Sequence, residues 1–98
     1  MKNSKHIFEI LTKQKKTLKD RYKLKKIGLF GSFVKNHQTS RSDLDILVEF
    51  QNGEETFDNY MDLKFYLEDT FGKKVDLVLK SVLREELKKE ILTEVVYV

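Results

Sequence analysis

Three short apolar segments alternate with amphipathic segments along this chain, and none of the three apolar segments is longer than eight residues. Apolar runs of this length are typical of strands, whereas apolar residues spaced three or four positions apart are typical of helices. The pattern predicts an α/β (or α+β) fold in which a small mixed β-sheet is flanked by helices. The predicted strands are residues 24–30, 43–50 and 74–79, and the predicted helices are residues 4–22, about 57–71, and a last one that begins at Ser81.

Local signals refine these elements. Thr56 can cap the second helix, and Gly72 can end it. The tail, residues 95–98, is expected to be frayed or extended. The residues expected on the inner stripes are Phe57, Tyr60, Met61, Leu67 and Phe71 in the second helix and Leu83, Leu87 and Ile91 in the last.

Size and composition limit the function classes. A chain of 98 residues with 40% hydrophobic and 36% charged content predicts a single domain, residues 1–98. Its apolar runs are far below the roughly 18 residues of a membrane span, and the N-terminus lacks the apolar stretch of a secretory signal. We therefore expect a cytoplasmic protein without membrane contact. The absence of cysteine excludes disulfide scaffolds and thiolate metal sites.

The charge is concentrated at one end. Residues 1–26 carry a net charge of +8, and residues 27–98 carry −5. A basic segment can contact nucleic acid or an acidic partner, or be a solvated helix face. Because this segment has only two aromatic residues, Phe8 and Tyr22, and no series of them alternates with the lysines as stacking platforms, the solvated face is the favoured interpretation.

Three aspartates form a candidate cation site. Asp43 and Asp45 are two apart on a predicted strand, so their side chains leave the same face with Cα atoms about 6.5–7 Å apart. Asp76 interrupts an apolar strand, where a buried carboxylate needs a positive charge for compensation. Oxygen ligands without His or Cys favour Mg²⁺ or Mn²⁺ over Zn²⁺.

Gly31-Ser32, at the end of the first strand, forms a candidate phosphate site. Glycine lets the backbone approach a phosphate closely, and the following amides and the Ser32 hydroxyl can donate hydrogen bonds to phosphate oxygens. A polyphosphate held there and bridged by metal ions to the aspartates would suit phosphoryl or nucleotidyl transfer.

The combination of these features is more specific than any one of them. Gly31-Ser32, ten intervening residues, Asp43-x-Asp45 and a third aspartate about thirty residues later resemble the signature of the nucleotidyltransferase superfamily, with its DNA polymerase beta-like palm. More closely, the chain resembles the minimal nucleotidyltransferases, the MntA-type antitoxins encoded beside HEPN-domain toxins. The resemblance covers nearly the whole chain, including residues 27–33, 42–50, 75–78 and 95–98.

The resemblance implies a role for each matched position. Gly31 and Ser32 would bind the nucleotide triphosphate. Asp43 and Asp45 would hold two Mg²⁺ ions, and Asp76 would be a third metal ligand that also helps to activate the acceptor hydroxyl.

The chain departs from the family pattern after Ser32. Lys35 stands where relatives often carry arginine, and lysine lacks the bidentate phosphate geometry of arginine. Arg41 is therefore a candidate for orienting the triphosphate.

The implied activity is transfer of AMP from ATP to a tyrosine of a cognate HEPN ribonuclease toxin, which neutralises the toxin. A non-catalytic antitoxin that acts by steric binding is the main alternative, but a docking module has no need for three converging carboxylates. Nucleotidyl transfer to a small molecule is disfavoured because the chain lacks a further helical domain to hold the acceptor. Nucleic-acid binding by the basic segment is not expected, and it would show a steep salt dependence.

Overall fold

The structure is a computed structural model that describes residues 4–34 and 43–98. Helices and strands follow the predicted order, and one further short strand follows the last helix. Among the described residues, no helix has both the length and the hydropathy needed to cross a bilayer. The helices are α1 (Ser4–Tyr22), α2 (Phe57–Phe71) and α3 (Glu85–Glu94), and the strands are β1 (Leu24–Phe30), β2 (Leu44–Phe50), β3 (Val75–Leu79) and β4 (Val96–Tyr97).

The strands form one mixed sheet in the order β3-β2-β1-β4. β1 pairs antiparallel with both β2 and β4, whereas β2 pairs parallel with β3. Parallel neighbours need a crossover connection, and α2 supplies it between β2 and β3. The predicted mixed sheet with flanking helices is confirmed.

One face of the sheet, here called the core face, is buried by α1 and α2. Alternation along β2 puts Leu44, Ile46 and Val48 on this face, each with at most 1% of its surface exposed. Their burial confirms the predicted apolar side of this strand. The same core contains Ile27 and Leu29 from β1, Val75 and Leu77 from β3, Ile7, Leu11 and Leu18 from α1, and Leu63, Leu67 and Phe71 from α2.

The opposite face, here called the carboxylate face, carries the polar residues of the strands. Asp45 of β2 and Asp76 of β3 are register partners on it, and Phe30 of β1 lies on the other side of Asp45. Phe30 and Leu47 are buried on this face but are not part of the main core cluster. The two faces therefore differ in both composition and cover.

The predicted caps of α2 are confirmed. The Thr56 side chain accepts a hydrogen bond from the Asn59 amide at 3.1 Å, and Gly72 ends the helix in the left-handed region with φ 63°. Phe57 was expected on the inner stripe but is 77% exposed, whereas Leu63 is fully buried. Phe57 is the first residue of α2, six positions and about 120° around the helix from Leu63, so it lies at the edge of the buried stripe.

The start of the last helix was wrongly predicted. Ser81 lies in the 3-10 turn Lys80–Val82, and its hydroxyl donates a hydrogen bond to Glu55 Oε1 at 2.6 Å. α3 begins only at Glu85, and none of its residues is buried. Leu87, expected on the inner stripe, is 47% exposed because the helix covers the sheet only thinly.

The C-terminal tail is extended, as one of the two expectations had it, and it pairs with the sheet as β4. Val96 pairs with Leu29, and Tyr97 pairs with Gly28. A Cβ atom on Gly28 would lie only 2.9 Å from Cγ2 of Val95 and from the carbonyl oxygen of Val96. Glycine at this position therefore lets the tail lie close against β1.

Candidate active site

The candidate site lies at one end of the sheet, where the ends of three strands lie side by side. β2 and β3 run parallel and begin there, and β1 runs antiparallel to β2 and ends there. The register sets Phe30 beside Asp45 and Asp45 beside Asp76. The Gly31–Phe33 turn follows β1 directly, so Gly31 and the Asp45–Asp76 pair meet at the same end of the sheet.

Gly31 is required by both backbone conformation and space. Its φ is +77°, a value that residues with a Cβ rarely adopt. A Cβ at this position would also collide with the carboxyl group of Asp45. The backbone of the Gly-Ser turn therefore lies against the carboxylate pair, as a phosphate site bridged to metal ligands requires.

Phe33 anchors the turn. Its ring is 1% exposed within the main core, and the Val34 amide closes the turn by donating to the Gly31 carbonyl oxygen at 3.1 Å. Ser32, between the anchor and Gly31, is partly exposed. Lys73 Nζ lies 5.5 Å from the centre of the Phe33 ring, which places an ammonium group near this turn. Lys73 was not among the predicted site residues, because no motif near it in the chain indicates that it is part of a site.

Glu94 is a second residue that sequence analysis missed. It is the last residue of α3, and its Oε1 accepts a hydrogen bond from the Gly31 amide at 3.1 Å. The two residues are 63 positions apart, so no local pattern connects them.

Asp45 is the electrostatic centre of the site. It is half-buried, and the loss of water around it is the largest cause that raises its pKa to about 6. The negative charges of Asp76 and Asp43 raise the pKa further, as do a hydrogen bond with the Asp76 side chain and the charge of Glu94. Asp45 therefore lies, partly buried, in a cluster of negatively charged groups that disfavours its ionised form.

Asp76 lies in the predicted strand, but its burial differs from the prediction. An apolar strand was expected to bury this carboxylate, but Asp76 is exposed, while its neighbours Val75 and Leu77 are buried. β3 is an edge strand with one well-covered face, so alternation puts Asp76 on the open side. The unfavourable burial of charge falls instead on Asp45. Asp43, just before β2, is exposed and close enough to influence Asp45.

These side chains suit nucleotide chemistry, and comparison with known proteins identifies the family. The nucleotidyltransferase domain family matches residues 11–98. The chain belongs to this family. The match spans both the Gly31-Ser32 turn and the three aspartates, and the prediction of a nucleotidyltransferase enzyme is confirmed.

Curated relatives of this nucleotidyltransferase cover all or nearly all of its length. A Methanocaldococcus jannaschii protein, provisionally named a protein adenylyltransferase, is 48% identical over 100 residues and covers 100% of both chains. The protein adenylyltransferase MntA of Thermococcus cleftensis is 44% identical over 92 residues, which are 94% of this chain and 92% of the relative. These names confirm the predicted resemblance to the MntA group.

Solved structures share the fold. A structure provisionally described as a minimal nucleotidyltransferase has a TM-score of 0.75 and 30% identity over 90% of this chain and 92% of its own. The crystal structure of a toxin-antitoxin with AMP-PNP has a TM-score of 0.71 and 25% identity over 87% of this chain and 69% of its own. The predicted minimal nucleotidyltransferase fold is therefore confirmed.

The ligand atoms present at the site determine which metal ion it fits. The carboxylate oxygens of Asp43, Asp45 and Asp76 suit a hard divalent cation such as Mg²⁺. In residues 4–34 and 43–98, however, no three or more Asp, Glu, His or Cys side chains are arranged as a formed metal site. The chemistry of the donors fits the ion, and a hydrogen bond joins the side chains of Asp45 and Asp76.

The structure brings some of the predicted site residues together, and others lie outside the residues that it describes. Gly31, Asp45 and Asp76 are brought together, with Ser32 and Asp43 next to them in the chain. Arg41 and Lys35 lie outside the described residues, so their contact with a triphosphate stays a prediction. The roles assigned to all of these residues also stay predictions.

Two clefts of the described residues lie away from this site. One, about 640 Å³, runs along α1 between Lys5 and Lys13. A second, about 500 Å³, lies beside Arg21 and Tyr66. Because family membership and carboxylate chemistry agree on the strand ends, we place the site there, on an open edge of the sheet.

Proposed function

We propose that this chain is a Mg²⁺-dependent protein adenylyltransferase that transfers AMP from ATP to a tyrosine of a HEPN-domain toxin and thereby neutralises it. The observation that carries the proposal is the Asp45–Asp76 pair directly against the Gly31 turn. Relatives named protein adenylyltransferases support the reaction class. The toxin-antitoxin structure with an ATP analogue supports both ATP and the kind of partner.

The Gly-Ser turn would hold the triphosphate. The Gly31 backbone can approach a phosphate because no Cβ stands in the way, and Ser32 can donate its hydroxyl. The nearby ammonium group of Lys73 would add positive charge at this end of the sheet. The α-phosphate would then face the carboxylates of β2 and β3.

The transfer would occur at the α-phosphorus. The tyrosine oxygen forms a bond to this phosphorus, the bond to the bridging oxygen of the β-phosphate breaks, and pyrophosphate leaves with the electron pair. Asp76 would take the proton of the tyrosine hydroxyl, because it is the exposed member of the pair and faces outward, where an acceptor can reach it.

The carboxylates of Asp43, Asp45 and Asp76 would hold Mg²⁺, which neutralises phosphate charge when it is bound. Burial is the largest cause of the raised pKa of Asp45, and a bound cation would lower this pKa by offsetting the charges of the neighbouring carboxylates. ATP binding is therefore expected to depend strongly on a divalent ion.

The acceptor must come from a second protein. The described residues form one sheet with three helices and leave the site on an open edge, so they provide no second wall that could orient a tyrosine. A toxin bound across this edge would provide the missing wall. The proposed antitoxin action follows from modification of the bound toxin.

Intact-mass spectrometry of the mixed proteins tests this proposal. With the cognate toxin, ATP and Mg²⁺, the toxin should gain the mass of one or more AMP units. The Asp43→Ala, Asp45→Ala double variant should give no gain. Asp58→Asn, a change of an exposed aspartate in the first turn of α2, is the matched control and should retain transfer. A stable complex without any mass gain under these conditions would favour the steric antitoxin instead.

A further inference from the structure

The Gly31 amide already has an anionic partner within the chain. The Glu94 carboxylate accepts its hydrogen bond at 3.1 Å, at the position where the proposed function needs a donor for phosphate. A carboxylate and a phosphate present similar negatively charged oxygens to a backbone amide. A single amide N–H cannot donate a full hydrogen bond to the Glu94 carboxylate and to a phosphate oxygen at the same time.

The charge of Glu94 also acts on the carboxylate pair. Glu94 is among the groups that raise the pKa of Asp45, so its carboxylate lies close to the acidic cluster. A negative group at this position is repelled by its neighbours, and the hydrogen bond from Gly31 is one interaction that offsets the repulsion. The same position would be favourable for a phosphate only if Glu94 were absent or turned away.

Glu94 lies in a thinly packed part of the fold. Its side chain is only partly buried, and it ends a helix that has no buried residue. The next segment is fixed more firmly, because Val95 and Val96 lie directly against Gly28 of β1. Rotation of the Glu94 side chain is thus an easier movement than departure of the tail.

We propose that Glu94 is an internal competitor of the nucleotide, so that ATP must displace the Glu94 carboxylate from the Gly31 amide before its triphosphate can occupy the Gly-Ser turn. This inference rests on the proposed function, since it assumes that ATP uses this turn. Glu94, a residue near the C-terminal end of the sequence, would thereby raise the ATP concentration that is needed to occupy the site.

Calorimetric titration with ATP and Mg²⁺ tests the competition. Glu94→Ala should bind ATP about three- to tenfold more tightly than the parent, the effect expected when a partly exposed charged hydrogen bond no longer has to be broken. Glu94→Gln keeps an acceptor but loses the charge, so its affinity should lie between the two. Glu90→Ala changes an exposed glutamate one helical turn earlier and should leave affinity unchanged.

The outcomes separate this inference from the proposed function. If the parent binds ATP and Glu94→Ala binds it equally or more weakly, the competition is wrong and the proposed function stands. If neither parent nor variants bind ATP with Mg²⁺, both are wrong. If Glu94→Ala fails to fold, amide NMR of the parent and of Glu94→Gln is the test. The inference predicts that the Gly31 amide resonance shifts when ATP binds and also when Glu94 is replaced by glutamine. A Gly31 resonance that does not move when ATP is bound would overturn the inference.

Discussion

The two faces of the sheet are made by the same strands, yet they differ in cover and in charge. On the core face, Ile46 and its neighbours are fully buried under two helices. On the carboxylate face, Asp45 is half-buried beside exposed Asp76, and α3 contributes no buried residue. One face thus supplies apolar burial, and the other holds a carboxyl group whose pKa is raised first by partial burial and then by the charges of its neighbours.

Stability and the proposed chemistry therefore depend on opposite faces of one sheet. Strand alternation separates them by a single residue, since Asp45 lies between Leu44 and Ile46. Changes on the core face should therefore lower the free energy of unfolding. Changes of the carboxylates should leave it unchanged or raise it, while they abolish activity.

The core-face change Ile46→Ala should have the largest effect on stability. Removing a fully buried branched side chain leaves a cavity, so the free energy of unfolding should fall by about 2–5 kcal/mol. Val78→Ala, a change on the half-buried carboxylate face, should cost less than about 1.5 kcal/mol. Urea denaturation measures both, and equal losses would remove the distinction between the faces.

Gly31→Ala should have the next largest effect. The variant combines a left-handed φ of +77° with a collision against Asp45, so we expect a loss of about 2–3 kcal/mol in stability and loss of ATP binding. Gly72→Ala is the matched control, because its φ is +63° but no atom lies within 4 Å of the added Cβ. This control should lose about 1 kcal/mol and bind ATP normally. ATP binding by Gly31→Ala at the parental affinity would place the triphosphate elsewhere.

Asp45→Asn should change stability least, and in a pH-dependent way. In metal-free protein, the pKa of Asp45 is raised from 3.8 to about 6, so the native state holds this proton more tightly than the unfolded state does. The parent should lose stability as pH rises from about 4 to 6, and the variant should lack this loss.

At pH 7.5 in EDTA the Asp45→Asn variant should therefore be more stable than the parent by about 1 kcal/mol, a figure reduced for the partial exposure of Asp45. At pH 4 the difference should be close to zero. Urea denaturation across this range measures the difference. A variant that is less stable than the parent at pH 7.5 would show that the carboxylate face is not strained by its charges.

Much of the fold follows from local patterns. β1 has the predicted bounds, Leu24–Phe30, because an apolar run ends at a glycine turn. α2 begins after Thr56 and ends at Gly72, because each cap satisfies helix-end groups within a few residues of itself. The parallel β2 and β3 then bring Asp45 and Asp76 together, as their strand positions predict.

The remaining features depend on contacts between distant residues. Ser81 has the residue type of a helix cap, but its hydroxyl binds Glu55, 26 positions away. A two-residue strand such as β4 has too short a pattern to be recognised. Glu94 reaches Gly31 across 63 positions, so its contact appears only in the folded chain. Asp76 was placed in the right strand with the wrong burial, because an apolar run does not show which of its faces is covered.

The rate of AMP transfer by Asp76→Asn, measured together with its free energy of unfolding, tests whether catalysis depends on the carboxylate face. Because Asp76 is exposed and repels Asp45, its replacement should leave the free energy of unfolding unchanged or raised. Because the proposed reaction needs this carboxylate, transfer to the toxin should fall by about 10³-fold. A folded Asp76→Asn variant that transfers AMP at the parental rate would contradict the assignment of catalysis to the carboxylate face.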